Sequence, residues 1–144
     1  MTEMTLADVA KEMRDIDIAM LSTRTQNGAI AARPMSNNRD VEYDGDSYFF
    51  TSQRTRTIED IERTPDVGLS YVGSKGILSR GRVFISIEGK AELIRDRAAF
   101  KDHWTKDLDE WFPNGVDTPG IVLIKVHASR IHYWNGMEEG EINV

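Results

Sequence analysis

Six short stretches of β character, separated by turn signals rather than by linkers, limit what these 144 residues can fold into more than any other feature of the sequence. The first two, within IDIAMLSTRTQNGAIAARPMSNN, flank Asn27-Gly28, a pair favoured in hairpin turns because both residues accept positive φ. A second turn, EYDGD, leads into SYFFT, and VGLSYVG, RVFISIEGKAELI and GIVLIKVHASRIHYWNG complete the set. Helical periodicity is confined to short intervals. Leu6, Val9, Ala10 and Met13 share a face, with Thr5 as cap and Asp8 three residues on, so a helix is expected from about Thr5 to Asp15. Ile58 and Ile61 predict a short helix ending at Thr64, because the residue before Pro65 is pushed out of the helical region. A pair of helical segments is expected between about Asp96 and Trp111. The class is α+β, dominated by antiparallel sheet. So many strands in so short a chain favour a small closed barrel, since closure removes exposed edges, although the pattern alone does not separate barrel from sandwich.

Composition narrows the function classes. Residues 1–144, 40% hydrophobic and without a long apolar run, are expected to form one domain with a real core. No segment approaches the length of a membrane span, and MTEMTLADVAKEM lacks the features of a signal peptide, so a cytoplasmic location is the expectation. The absence of cysteine removes disulfides, thiolate metal sites and a cysteine nucleophile. A net charge of −6 argues against nucleic acid and against an acidic membrane surface as partners.

The residues that invite a chemical reading lie where SYFFT meets the short helix, in TSQRTRTIEDIE. A helix start presents unpaired N–H groups and the positive end of the dipole, which together stabilise an anion. Arg54 and Arg56 add guanidinium forks, and Thr51, Ser52, Thr55 and Thr57 add hydroxyls that can donate to phosphate oxygens. The competing reading is an ordinary cap, with Thr55 or Thr57 closing the helix, Glu59 or Asp60 complementing its dipole and the arginines solvated. The residues alone favour the cap.

Other candidates fail on spacing. His103, His127 and His132 are scattered, and the last two are five apart on an expected strand and so face opposite ways, so no metal site is expected from them. The loop VGSKGILSRG, residues 72–81, does not match the phosphate-binding GxxxxGK[ST] pattern and reads as a mobile strand connection. YDGDS reads as a turn, and MEEGE as a solvated acidic tail.

Five segments in order, ARPMS, YFFTSQRTRTIEDIERTPDVGLSY, ISIEGKAEL, EWFPNG and RIHYWNG, resemble the flavin-binding split-barrel family of pyridoxamine 5′-phosphate oxidase, in particular its general stress protein 26 branch. The resemblance runs from about Asp17 to Gly136. It implies a six-stranded antiparallel split β-barrel with short flanking helices, a homodimer, and FMN in clefts at the subunit interface. By the same resemblance Arg33, Pro34 and Met35 run beside the flavin, and Phe50 and Thr51 form an aromatic-threonine pair at a strand end. Arg56 and Thr57 occupy the positions of an Arg-Lys pair directed at the phosphate, so the lysine is missing here. Trp111 and Phe112 resemble a Trp-Phe-Pro segment that approaches from the partner subunit, Trp134 an aromatic near the ring, and Phe84 stands where the oxidases carry glutamine. Each has an alternative: Trp111, Phe112 and Trp134 as core or interface anchors, Arg33 as a surface arginine, and Pro34 as an edge or bulge residue.

In the oxidases the segment matching RIHYWNG continues into a cationic tail that binds the substrate phosphate, whereas Glu138, Glu139 and Glu141 follow here. Like charge would oppose an anionic pyridoxine phosphate, so the resemblance implies an FMN-binding protein other than that oxidase. Two functions are carried forward: a flavin-dependent oxidoreductase acting on an unidentified small molecule, and a non-catalytic flavin-binding or buffering stress protein. A dimer that has lost its cofactor remains a third.

Overall fold

A computed structural model describes residues 3–37, 43–73, 82–136 and 138–144. Helix α1 (Leu6–Arg14) begins with the expected box: the Asp8 N–H donates to the Thr5 hydroxyl, and the Thr5 N–H donates to the Asp8 carboxylate. Strands β1 (Ile18–Arg24) and β2 (Ile30–Ser36) form the expected hairpin, with Gly28 at φ 82° in the turn, where a side chain would be strained. Strand β3 (Asp46–Ser52) runs directly toward helix α2 (Arg56–Arg63), which ends at Thr64 before Pro65 as anticipated. Strands β4 (Asp66–Val72) and β5 (Val83–Ile94) follow, then helix α3 (Arg97–His103) and a 3-10 turn at Lys106–Glu110. The long strand β6 (Ile121–Asn135) comes next. Most of the connection expected over residues 72–81 lies outside the described residues.

Two expectations are corrected. MEEGE is not a solvated tail: residues from Glu138 to Asn143 form a seventh strand, β7, paired antiparallel to the second half of β6. Its register explains the acidic sequence, because Glu139 and Glu141 face His132 and Arg130 across the ladder as well as water. The sheet is also not closed. Its order is β2-β1-β4-β5-β6-β3, with β7 added beside β6, and no backbone ladder joins β2 to β3 among the described residues. Strand β6 can serve both β3 and β7 because it is long enough to pair with β3 through Ile121–His127 and with β7 through Arg130–Asn135.

Alternation along the strands sorts side chains into two hydrophobic groups. Leu21, Leu69, Ile85, Ile87 and Ile131 point inward with Phe49 and Ile58, and all are buried. Each such side chain contributes roughly 1.5–3 kcal/mol of burial. On the outside of β3 and β6, Phe50 and Leu123 are covered by Phe100 and Leu108 from the segment between β5 and β6. This leaves β2 and the end of β3 facing each other across an unpaired gap.

Candidate functional site

A cavity of about 320 Å3 occupies that gap. One wall is β2, through Pro34, Met35 and Ser36, and the other is the end of β3, through Phe50, Thr51 and Ser52. Leu108, Trp111, Phe112 and Thr55 line it as well. Strand alternation places Pro34 opposite Met20 on the outward side of the sheet, while Met35 opposes Ala19 and is buried. The aromatic wall is braced by edge-on contacts, Phe50 to Trp104 at 4.9 Å and Trp104 to Phe112 at 5.8 Å between ring centres.

The helix start is capped as well as open. Thr55 is the cap, its hydroxyl accepting from the Ile58 N–H at 3.4 Å and donating to the Ser52 carbonyl at 3.0 Å. Its side chain also lines the cavity, so the cap and the mouth of the site are the same turn. Arg54 and Arg56 are exposed on either side of Thr55 and make no ion pair among the described residues. No carboxylate is found among the described residues that line the cavity.

Six of the ten residues named from the sequence line this one cavity: Pro34, Met35, Phe50, Thr51, Trp111 and Phe112. Arg56 lies beside it, on the first residue of α2. The other three are elsewhere. Arg33 falls on the inward side of β2 opposite Leu21, where its guanidinium donates to the Leu21 carbonyl at 3.2 Å and the Thr23 hydroxyl at 2.7 Å. It also pairs with Asp60 at 3.6 Å, so it anchors the underside of α2 instead of facing the cavity. Burial lowers the Arg33 pKa and Asp60 opposes that shift. Thr57 is buried, because helical spacing puts it on the side of α2 that carries Asp60 and Ile61. Trp134 is half-buried on the outward face of β6, stacked on His132 at 4.3 Å and opposite Phe84.

Ile18, Ser36 and Leu108 also line the cavity and were not singled out from the sequence. Ile18 had a usable signal, since it opens β1 on the face that alternation leaves outward. It continues into an exposed apolar set comprising Met20, Val72 and Phe84.

The sequence matches the pyridoxamine 5′-phosphate oxidase-like family over residues 5–144. The chain belongs to that family. No curated protein matches it. Among solved structures, one similar chain is a Clostridium acetobutylicum protein related to general stress protein 26 of B. subtilis, of the pyridoxinephosphate oxidase family. It has 20% identity, a TM-score of 0.81, and coverage of 96% of this chain and 94% of that one. General Stress Protein 26 from Bacillus anthracis aligns at 23% identity and a TM-score of 0.77, over 98% and 100% of the two chains. A heme binding protein from Mycobacterium smegmatis aligns at 14% identity and a TM-score of 0.75, over 99% of this chain and 60% of that one. At these identities the structural likenesses establish the shared fold, and ligands are a separate question. No helix among the described residues is long and apolar enough to cross a membrane.

Proposed function

We propose that this member of the oxidase-like family binds FMN in the gap between β2 and β3. The observation that carries the reading is the division of one cavity into an aromatic and aliphatic wall and a hydroxyl-lined helix start flanked by two exposed arginines. A flat heterocycle fits the Pro34, Met35, Phe50, Trp111 and Phe112 end, and a phosphate fits the Ser52 and Thr55 end. Exposed N–H groups in the first turn of α2 and the Arg54 and Arg56 guanidinium groups would neutralise the phosphate. Thr57, buried on the other side of the helix, would contribute its backbone and not its hydroxyl. Arg33 would act at one remove by holding α2 through Asp60.

The cavity is open, and the exposed face that begins at Ile18 runs on through Met20, Val72 and Phe84. A second copy covering that face would complete a cleft and bring an outward aromatic such as Trp134 toward a partner's cofactor. A homodimer is therefore part of the proposal. FMN supplies hydride and one-electron transfer when bound, while the protein holds the ring and admits a small reactant. The reading favoured is a flavin-dependent oxidoreductase acting on an unidentified small molecule. Glu138, Glu139 and Glu141 on β7 stand in place of the cationic tail of the oxidases, Glu139 and Glu141 being paired with His132 and Arg130, and a non-catalytic flavin store is the alternative.

The visible spectrum of the purified protein titrated with FMN tests the cofactor, and anaerobic oxidation of NADH or NADPH tests turnover. Absence of any FMN-induced change, or a bound spectrum with haemin in its place, would overturn the flavin reading. Binding without turnover would favour the store. Arg56→Ala is expected to weaken FMN by roughly ten- to a hundredfold, in line with losing a hydrogen bond to a charged group, and to spare riboflavin. Equal losses for both ligands would show that Arg56 does not read the phosphate.

A further inference from the structure

Strands β3 and β5 both end beside the start of β6. Pairing sets Phe50 of β3 opposite Leu123 of β6, and Leu123 opposite Ile94 of β5, so the residues that follow Ile94 emerge near the turn between β3 and α2. That turn, Ser52 to Thr55, has both ends on the cavity, since Ser52 and Thr55 line it. Three bonds hold it. The Thr55 hydroxyl donates to the Ser52 carbonyl within the turn, and the Gln53 N–H donates to the Gly120 carbonyl, just before β6, at 2.6 Å. The third comes from 42 residues farther along the chain: the Arg95 Nε–H donates to the Gln53 side-chain carbonyl at 2.9 Å. The neighbours of Arg95 are engaged elsewhere, Asp96 capping α3 by accepting from the Ala98 N–H at 3.3 Å and Arg97 pairing with Asp117. Arg95 itself makes no ion pair among the described residues.

We propose that Arg95 is a positioning residue for the phosphate end of the site and acts through Gln53. The proposal rests on the flavin reading above and adds to it a residue from the end of β5, a strand that gives the cavity no lining side chain among the described residues. The reason is geometric. A phosphate at a helix start is held by N–H groups and hydroxyls whose directions are set by the turn that leads into the first helical residue. Gln53 and Arg54 belong to neither β3 nor α2, so neither a ladder nor helical bonds fix them. Restraining such residues before the ligand arrives lowers the ordering cost of binding. The Gly120 bond fixes the Gln53 backbone and the Arg95 bond its side chain, so the turn is tied to the two strands nearest it. A guanidinium suits this task, because a donor that stays charged makes a stronger bond to a carbonyl than a neutral one does. Arg95 is exposed and Gln53 half-buried, so the bond adds little to global stability and its effect is local. Pro34, Met35 and Trp111 reach the cavity from other segments, and the ring end is therefore indifferent to Arg95.

The test is the affinity for FMN and for riboflavin, read by flavin titration, of Arg95→Ala, Gln53→Ala and the double variant. Arg95→Ala is expected to weaken FMN by roughly three- to tenfold, in line with the net loss of one hydrogen bond, and to leave riboflavin and the urea midpoint unchanged. A residue that served only the fold would lower the urea midpoint and affect both flavins alike. Gln53→Ala should reproduce the loss, and the double variant should bind no more weakly than either single one, because all three lack the same bond. Additive losses, or a loss in Arg95→Ala that Gln53→Ala does not share, would overturn the proposal by showing that the arginine acts through its charge alone. Native FMN affinity in Arg95→Ala would also overturn it and leave flavin binding intact. Failure of the native protein to bind FMN would overturn both.

Discussion

Phe49 and Phe50 are adjacent in sequence and belong to different structures. Phe49 points into the inner core, among side chains from β1, β2, β4, β5 and β6, while Phe50 points outward into a cluster closed by Phe100, Leu108, Trp104 and Phe112. The inner group is held by the ladders of the sheet together with α1 and α2. The outer group is held by one short helix, a 3-10 turn and edge-on aromatic contacts. The outer group gives Phe50, Leu108 and Phe112 to the cavity, and the inner group gives Met35. The fold and the site thus draw on largely separate sets of contacts that meet at Met35, and a site wall built on short elements can vary without endangering the inner core.

The largest effect expected from breaking that separation is in the interior. Leu69→Ala removes a fully buried side chain between β1 and β5 and should cost about 2–5 kcal/mol in urea unfolding. Leu108→Ala, in the outer cluster, should cost less in global unfolding and reduce FMN affinity more, read by flavin titration of the folded protein. Equal costs in unfolding, with equal effects on FMN, would show that the two clusters act as one unit.

Asp60 is where the two regions are coupled, and its replacement should have an intermediate effect. It sits under α2, accepting from the Thr23 hydroxyl at 2.7 Å and facing Arg33 at 3.6 Å and Arg63 at 3.5 Å. Asp60→Ala leaves the Arg33 guanidinium without its counter-ion in a partly buried place. Because Arg33 keeps 21% of its side-chain exposure, a loss of about 2–3 kcal/mol is expected, short of the full cost of an orphaned buried charge. The change should also weaken FMN more than riboflavin, since α2 carries the phosphate end. A variant that loses stability but binds both flavins normally would show that α2 needs no anchor from β1 and β2.

These couplings explain which parts of the molecule were legible in the sequence. Capping residues, Asn27-Gly28 and the Thr64-Pro65 step act locally, so α1, the first hairpin and the end of α2 were readable directly. That Pro34, Met35, Phe50 and Thr51 come together around one cavity was foreshadowed by the family order, which sets each of them near a strand end. Arg33 and Thr57 do not line that cavity, because the motif names a position but not the partners that hold its side chain: Asp60 and Thr23 hold Arg33, and helical spacing buries Thr57. Strand β7 was hidden because an acidic, low-hydrophobicity segment becomes a strand only when β6 offers an unpaired edge and Arg130 and His132 to pair with. His103 was weighed only as a metal ligand, and its stacking on Tyr48 depends on how α3 folds back over β3, which no sequence spacing encodes.

Tyr71 offers the mildest probe of the interior, because its effect is confined to alkaline solution. Burial pushes its phenol up to about 12, with Ser47 acting in the opposite direction, and burial raises Tyr43 as well. In the unfolded chain these groups ionise near about pH 10. From there upward the unfolded state releases protons that the folded state still holds, so stability is full below that value and declines as pH rises toward about 12. Tyr71→Phe removes one of the coupled groups with little change in shape. Stability at neutral pH should therefore change little, while the alkaline decline, followed by urea midpoints at successive pH values, becomes shallower. The same substitution should leave FMN binding untouched, since Tyr71 lies in the inner cluster and Tyr48, on the outward face of β3, lies beside the site. A flavin affinity that changed with Tyr71→Phe would mean that the inner cluster acts on the cavity, through Met35, the member it shares with the cavity wall.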